Sequence, residues 1–193
     1  MNSANTYGYI AILFHWLVAV ILVGMLGLGF YMTGLGDSEI SLKFSLYQWH
    51  KSFGILVLLL TFARLGWRTF NPAPPPLDVG WRKKAAKVSH TMLYALTLLV
   101  PLAGWMMVSA SPWNIPTVLF DVVSWPHVPG LAGLEDKASA EAAFKLVHKT
   151  LAYSTALLVL LHASAAVHHH LMLKDKTLVR MIPILREPTT NGQ

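Results

Sequence analysis

Between His148 and His170 lies a long apolar stretch whose only formally charged residue is Lys149, yet it carries histidine at 148, 162, 168, 169 and 170. Wound as a helix, the fourteen residues from His148 to His162 make almost four whole turns, which returns both imidazoles to nearly one face. The rise between them is about 21 Å, inside a hydrocarbon layer of roughly 30 Å. His162 and His169 are seven residues apart and share that face again. An ionisable side chain inside a membrane span is costly and is usually functional. Two histidines at opposite depths of one membrane helix predict two stacked cofactors, one near each surface.

The rest of the chain agrees with a membrane reading. Its 193 residues allow one domain, and a chain 54% hydrophobic, 12% charged and of positive mean hydropathy is not built as a soluble protein. The absence of cysteine excludes disulfides, thiolate metal sites, covalently attached c-type haem and iron–sulfur clusters. A net charge of +6 would suit nucleic acid, but the basic residues sit in loops beside apolar spans, as membrane topology places them. The expected partner is therefore the lipid bilayer, with no nucleic acid.

Four spans are expected, at about 9–32, 48–69, 88–109 and 145–172. The first is uncharged apart from His15, too long for the apolar core of a cleaved leader, and without a basic start. Thr33 to Tyr47 reads as a loop. The run Asn71-Pro-Ala-Pro-Pro-Pro stops the second helix, and Trp81-Arg82-Lys83-Lys84 leads into the third, where Pro101 predicts a kink and Gly104 a close helix contact. The segment 110–144, rich in Pro, Trp and Gly, is a connection, with a short turn over Thr117–Trp125 lying at the interface. Arg68, Arg82, Lys83, Lys84 and Lys87 mark the loop between spans two and three as cytoplasmic, and Lys174, Lys176, Arg180 and Arg186 of the tail agree. The fold class is thus all-α, an integral membrane four-helix bundle with both termini cytoplasmic and 110–144 on the periplasmic side.

With this topology His50 and His148 lie near the outer surface, and His15, His90 and His162 near the inner one. They can form two bis-histidine pairs with one histidine over. The spans offer no carboxylate or thiolate to complete a zinc or di-iron set, whereas a porphyrin brings four nitrogens and needs only two axial ligands. Small residues (Gly54, Gly104, Ala152, Ala156, Ala163, Ala165, Ala166) leave room for a flat macrocycle. The competing reading takes the histidines as interfacial residues bonded to headgroups, and it is the better one for His168 and His170, while His127 in its Trp-Pro-His loop reads as a surface residue. Arg64, fourteen residues after His50, can neutralise an inner haem propionate or snorkel to headgroups. Lys51 and Lys149 can pair with outer propionates or attract small anions at the outer surface, or can simply mark the membrane boundary.

An ordered set of motifs runs through the chain: His15-Trp16, His50-x-x-x-Gly54 with Arg64, His90-x-x-x-Tyr94, Pro101-x-x-Gly104, His148-x-Thr-Leu-Ala, Leu-His162-Ala-x-Ala-Ala, His169-His170, and Lys174-Asp175-x-Thr-Leu-x-Arg180-Met-x-Pro183. Over nearly the whole chain this resembles the bacterial cytochrome b561 family, and within it the members that oxidise superoxide. The resemblance implies a bacterial inner-membrane protein holding two b haems. By that analogy and by depth, His50 and His148 are the axial ligands of the outer haem iron, and His15 and His162 those of the inner. His90 is the alternate inner ligand or lines a quinone pocket, and His169 is the candidate to bind or protonate quinone. The chain has no lysine or arginine in its first eight residues, where the family often has a basic residue, and its 110–144 segment is longer than in compact members.

Six-coordinate iron has no open position and passes electrons through the macrocycle edge. The expected activity is therefore transfer from superoxide, at a periplasmic surface where Lys51 and Lys149 steer it, to ubiquinone near the cytoplasmic surface. The alternative is an electron-transfer subunit that links a periplasmic redox partner to the quinone pool. A scaffold without cofactor comes third.

Overall fold

The computed structural model describes residues 1–2 and 6–185, apart from the side chains at 37 and 183; Arg186 of the expected basic tail lies outside the described residues. Four long helices carry the fold: α1 (Tyr9–Gly34), α2 (Ile40–Phe70), α3 (Gly80–Ser109) and α4 (Lys137–His168). All four are long and apolar enough to cross a membrane, α4 being continued by a π-helical turn, His169–Leu173.

The helices outrun the apolar stretches that announce them. The loop expected over Thr33–Tyr47 ends at Glu39, α3 starts at Gly80 rather than near Val88, and α4 starts at Lys137 rather than near Lys145. Hydropathy marks only the hydrocarbon part of a span. Backbone hydrogen bonding continues through the headgroup layer wherever the sequence allows it. At α4 the start is set by a cap, since Asp136 accepts a hydrogen bond from the Ser139 N–H at 3.0 Å. α3 runs unbroken through Pro101.

α1 packs on α2, α2 on α3 and α3 on α4, while α1 and α4 touch sparingly. The bundle is apolar outside and small inside. Leu13, Val20, Leu157 and Leu160 are each more than half exposed, whereas the largest fully buried side chains are Ser52, Thr61, Ser109 and Thr155. Each of these hydroxyls donates to the carbonyl four residues earlier, at 2.9, 2.7, 2.7 and 2.8 Å respectively. A hydroxyl bonded to its own helix leaves no unpaired donor facing a neighbour, so helices can approach closely in a medium where apolar attraction between them is weak.

The two ends of the bundle are closed differently. At one end the connection between α3 and α4 folds into a two-stranded antiparallel hairpin, β1 (Thr117–Leu119) and β2 (Val123–Trp125), with Thr117 opposite Trp125. The expected interfacial turn is thus a hairpin, and two of the three residues that join its strands, Phe120 and Asp121, are left-handed (φ 50° and 58°). Phenylalanine tolerates that conformation poorly. It is held by the Phe120 N–H, which donates to Ser52 Oγ of α2 at 3.0 Å, and by ring contacts with Trp49 and Phe53. At the other end the N-terminus, the 71–79 linker and the tail meet. Asn2 Nδ2 donates to the carbonyls of Asn71 and Pro72, Trp16 Nε1 to that of Met181, and Arg180 Nη1 to that of Pro75. Asn2 and the described part of the tail therefore lie at one end, the terminal end, opposite the hairpin end.

Candidate cofactor site

The histidines converge in two layers. Toward the hairpin end, His50 of α2 faces His148 of α4, with ring centroids 6.2 Å apart. Toward the terminal end, His15 of α1 faces His162 of α4 at 6.4 Å. The two members on α4 are four turns apart, so the layers are separated by about 21 Å along the helix. Two imidazoles on opposite sides of one metal ion, each bound through a nitrogen at about 2 Å, would have ring centroids about 6 Å apart.

The local setting of each ring bears on what it can bind. In the hairpin-end layer, His148 Nδ1 lies 2.9 Å from the Val100 carbonyl, an acceptor that fixes the hydrogen on Nδ1 and leaves Nε2 with its lone pair. His50 Nδ1 is buried with no partner among the described residues. Two glycines make the space for these rings. A Cβ on Gly104 would stand 3.1 Å from His148, and one on Gly29 would stand 3.4 Å from His50. Gly54 meets the tip of Met25 instead, and of the five alanines expected to open space on α4, Ala163 and Ala165 are exposed.

The terminal-end layer is more crowded and more polar. His90 lies with its ring centroid 5.3 Å from that of His162, and its Nδ1 is 2.7 Å from the Ala86 carbonyl. Arg64 reaches His15 Nδ1 at 3.1 Å, and its guanidinium also lies over the Tyr94 ring, 5.0 Å from the centroid. Arg68 packs on the same ring at 5.4 Å. Arg64 is thus turned inward to a histidine and a phenol rather than outward to headgroups.

The remaining candidates lie at the two ends. Lys51 Nζ donates to the Pro116 carbonyl at 3.0 Å, sharing that acceptor with Gln48 Nε2 at 3.2 Å, so it is tied to the approach to the hairpin. Lys149 is exposed, 6.0 Å from the Tyr153 ring. His169 lies at the terminal end between two carboxylates, Asp175 at 2.6 Å and Asp78 at 3.8 Å. His127 is partly buried, His168 exposed.

Sequence reasoning missed Gly29, Asp78 and the pairing of Tyr94 with the two arginines. Gly29 carried a readable signal, since it is fourteen residues after His15 just as His162 is fourteen after His148. Asp78 carried none, because a lone aspartate at the end of a Pro-rich linker reads as a solvated loop residue.

Among the described residues no cluster of three or more His, Asp or Glu is placed to hold a metal ion by itself. What the core offers is paired neutral nitrogen donors without an anionic partner, seated against glycine. That donor set fits a macrocycle that supplies its own equatorial ligands and asks the protein only for axial ones.

Comparison with known proteins agrees with this architecture. The family model of the prokaryotic cytochrome b561 matches residues 6–183. Cytochrome b561 homolog 2 of Escherichia coli (strain K12) is 35% identical over 184 residues, covering 94% of this chain and 93% of that protein. Cytochrome b561 homolog 1 of the same organism is 29% identical over 181 residues, 93% and 98% of the two chains. A probable superoxide oxidase CybB of Yersinia pestis is 32% identical over 144 residues, 69% and 73%. With four spans, a histidine-lined core and a family match over nearly its whole length, the chain belongs to the prokaryotic cytochrome b561 family of haem-binding, multi-pass inner-membrane electron-transfer proteins.

Proposed function

We propose that this chain binds two b haems and moves electrons from superoxide at the periplasmic face to ubiquinone at the cytoplasmic face. The observation that carries the reading is the pair of facing imidazoles at 6.2 Å and again at 6.4 Å, four turns apart on α4. His50 and His148 would hold the outer haem, and His15 and His162 the inner. His90 stands beside His162 as Gly104 stands beside His148, each a neighbour from α3, and this favours His15 over His90 as the inner ligand. When bound, the haems supply one-electron chemistry.

The chain's own residues then divide the work. The hairpin end faces the periplasm, and the termini, with Arg68, Arg82, Lys83, Lys84 and Lys87 nearby in the sequence, face the cytoplasm. Lys149, exposed beside His148, steers the superoxide anion. Lys51, tied to the Pro116 carbonyl, contributes less unless that bond opens. Arg64 sets the charge around the inner pair through His15. His169 binds or protonates ubiquinone. The stoichiometry closes: two superoxide anions become two dioxygen molecules, and ubiquinone takes their two electrons and two protons to become ubiquinol. The name of the Yersinia pestis relative supports superoxide as the donor.

The decisive experiment is a stopped-flow superoxide pulse on the purified protein, followed by haem absorbance with and without added ubiquinone. Rapid reduction followed by quinone-dependent reoxidation is expected. Lys149→Glu should slow the first phase at low salt and lose its effect at high salt. Haem that stays oxidised after the pulse would sink superoxide as donor. It would favour the second reading, an electron-transfer subunit serving a periplasmic redox partner. Trp113 (79% exposed) and Val122 (80%) at the hairpin end give that reading its one specific support, an apolar surface outside the bundle.

A further inference from the structure

His169 opens the π-helical turn that follows α4, and Lys174 ends that turn in a left-handed conformation, φ 51°. Such turns re-aim a side chain within an otherwise regular helix and are frequent at functional sites. Here the reversal at Lys174 brings Asp175 back over His169. The Asp175 N–H donates to the His169 carbonyl at 3.2 Å, and Asp175 Oδ2 stands 2.6 Å from His169 Nδ1. From the opposite side the linker delivers Asp78, whose Oδ2 is 3.8 Å from Nε2, beyond hydrogen-bond reach.

The side chains of all three residues are between 15% and 26% exposed, within reach of water but not immersed in it. Asp175 is held on its other oxygen by the Thr177 N–H at 2.8 Å. Burial pushes its carboxyl up, but hydrogen bonds from Thr177 and His169 outweigh burial and hold it below the usual carboxylate value. It is therefore an ionised acceptor at neutral pH. An anionic acceptor on Nδ1 keeps a hydrogen on that nitrogen, so Nε2 is the one that gains and loses a proton. Asp175, Asp78 and the neighbouring His168 ring, 6.2 Å away, face the ring. The tail does not need this cluster to stay in place, since Trp16 and Arg180 pin it independently.

We propose that Asp175 and Asp78 make His169 the proton donor for quinone reduction, Asp175 as the positioning residue and Asp78 as the group that reloads it. This rests on the quinone reading above. His169 Nε2–H gives its proton to a reduced quinone oxygen, the imidazolium becomes the neutral Nδ1–H tautomer, and Asp78 passes a proton from cytoplasmic water to Nε2. The cycle runs twice for each quinol, matching the two electrons that arrive one per superoxide.

The test is the same two-phase stopped-flow experiment on the haem-loaded protein, over a series of pH values. Haem content and the superoxide-driven phase control for folding. Asp175→Asn should slow the quinone-dependent reoxidation about tenfold or more. Asp175→Glu, which keeps the carboxylate, should restore the rate. Asp78→Asn, on a different segment, should slow the same phase most at alkaline pH, where reloading limits it. Wild-type reoxidation with both asparagine variants unchanged in rate and pH profile would overturn the proposal alone. Wild-type haem that superoxide reduces but quinone does not reoxidise would overturn the quinone reading and this inference with it. If Asp175→Asn fails to load haem, Asp78→Asn decides.

Discussion

The two histidine layers are built on one spacing and filled in opposite ways. On every helix a residue of one layer is fourteen positions from a residue of the other: His15 and Gly29, His50 and Arg64, His90 and Gly104, His148 and His162. Four helices crossing two planes therefore place two histidines and two glycines at the hairpin end, and three histidines and an arginine at the terminal end. Within each layer the contacts repeat, α1 to α2 and α3 to α4: Gly29 against His50 and Gly104 against His148, then Arg64 against His15 and His90 against His162. At the hairpin end the imidazoles are positioned by backbone, through a carbonyl and two missing side chains. At the terminal end they are positioned by other ionisable side chains. A backbone-built layer fixes geometry and tolerates little; a layer built from side chains can be tuned by them.

The sharpest way to break this contrast is to add volume at the hairpin end. Gly104→Val places a branched side chain where even a Cβ is 3.1 Å from two atoms of the His148 ring. Haem content should fall from about two to about one per chain, the inner one surviving. Gly29→Ala, at 3.4 Å from His50, should cost far less. Pyridine haemochrome stoichiometry measures both, and an unchanged content in Gly104→Val would mean that the outer ligands are not where the paired rings place them. At the terminal end the corresponding test compares His15→Ala with His90→Ala. Loss of the inner haem from the first and its retention in the second is expected. The reverse result would make His90 the partner of His162 and reassign His15 as its neighbour.

Much of this arrangement was legible in the sequence, and the reason is periodic. Four apolar runs and the positions of His15, His50, His148 and His162 fix depth, because a membrane helix converts residue number to height at a constant rise. Depth does not reveal which residue lies across from which. Nothing in the spacing alone distinguished His90 from His15 as the partner of His162, and nothing linked Asp78 to Asp175 across the linker and tail. Glycine was half legible. Gly104 stood out beside Pro101, but Gly29 was overlooked in a run with Gly24 and Gly27, although only it repeats the fourteen-residue interval. The helix ends were misjudged for another reason: the hydrophobic signal stops at the hydrocarbon boundary, while the backbone of α2, α3 and α4 goes on winding.

A smaller effect sharpens the comparison from the inner side. Arg64→Met keeps the length of the side chain's stem and removes the guanidinium that reaches His15 Nδ1 at 3.1 Å. On the two-haem proposal, the inner haem should remain bound, because the histidines that would hold it are untouched, but its reduction potential should fall once the nearby positive charge is lost, and the outer potential should hardly move. Redox titration resolves the two. Affinity for the inner haem should weaken by no more than about 10–100-fold, the range for losing a group that orients a ligand. Equal displacement of both potentials would show that the layers are not insulated from each other.

The smallest expected effect concerns the two ends of α4, where two carboxylates are held low for different purposes. Hydrogen bonding from Ser139 holds Asp136, at the hairpin-end start of the helix, below the usual carboxylate value. Because the folded value is lower than the unfolded one, the stability this cap contributes is fully present above the ordinary aspartate range. It is lost as pH falls through the folded value, which lies below the ordinary aspartate range. Asp136→Asn can still accept the bond but cannot be protonated in that range. At neutral pH its thermal unfolding in detergent should match the wild type, and on acidification it should decline less. Asp175 obeys the same sign but holds His169 rather than a helix end. Acidification there should act on the quinone-dependent phase as well as on stability, which separates it from Asp136. A wild-type acid decline that Asp136→Asn does not soften would mean that the cap adds nothing to the fold, and that α4 is held at the hairpin end by its packing on α3 alone.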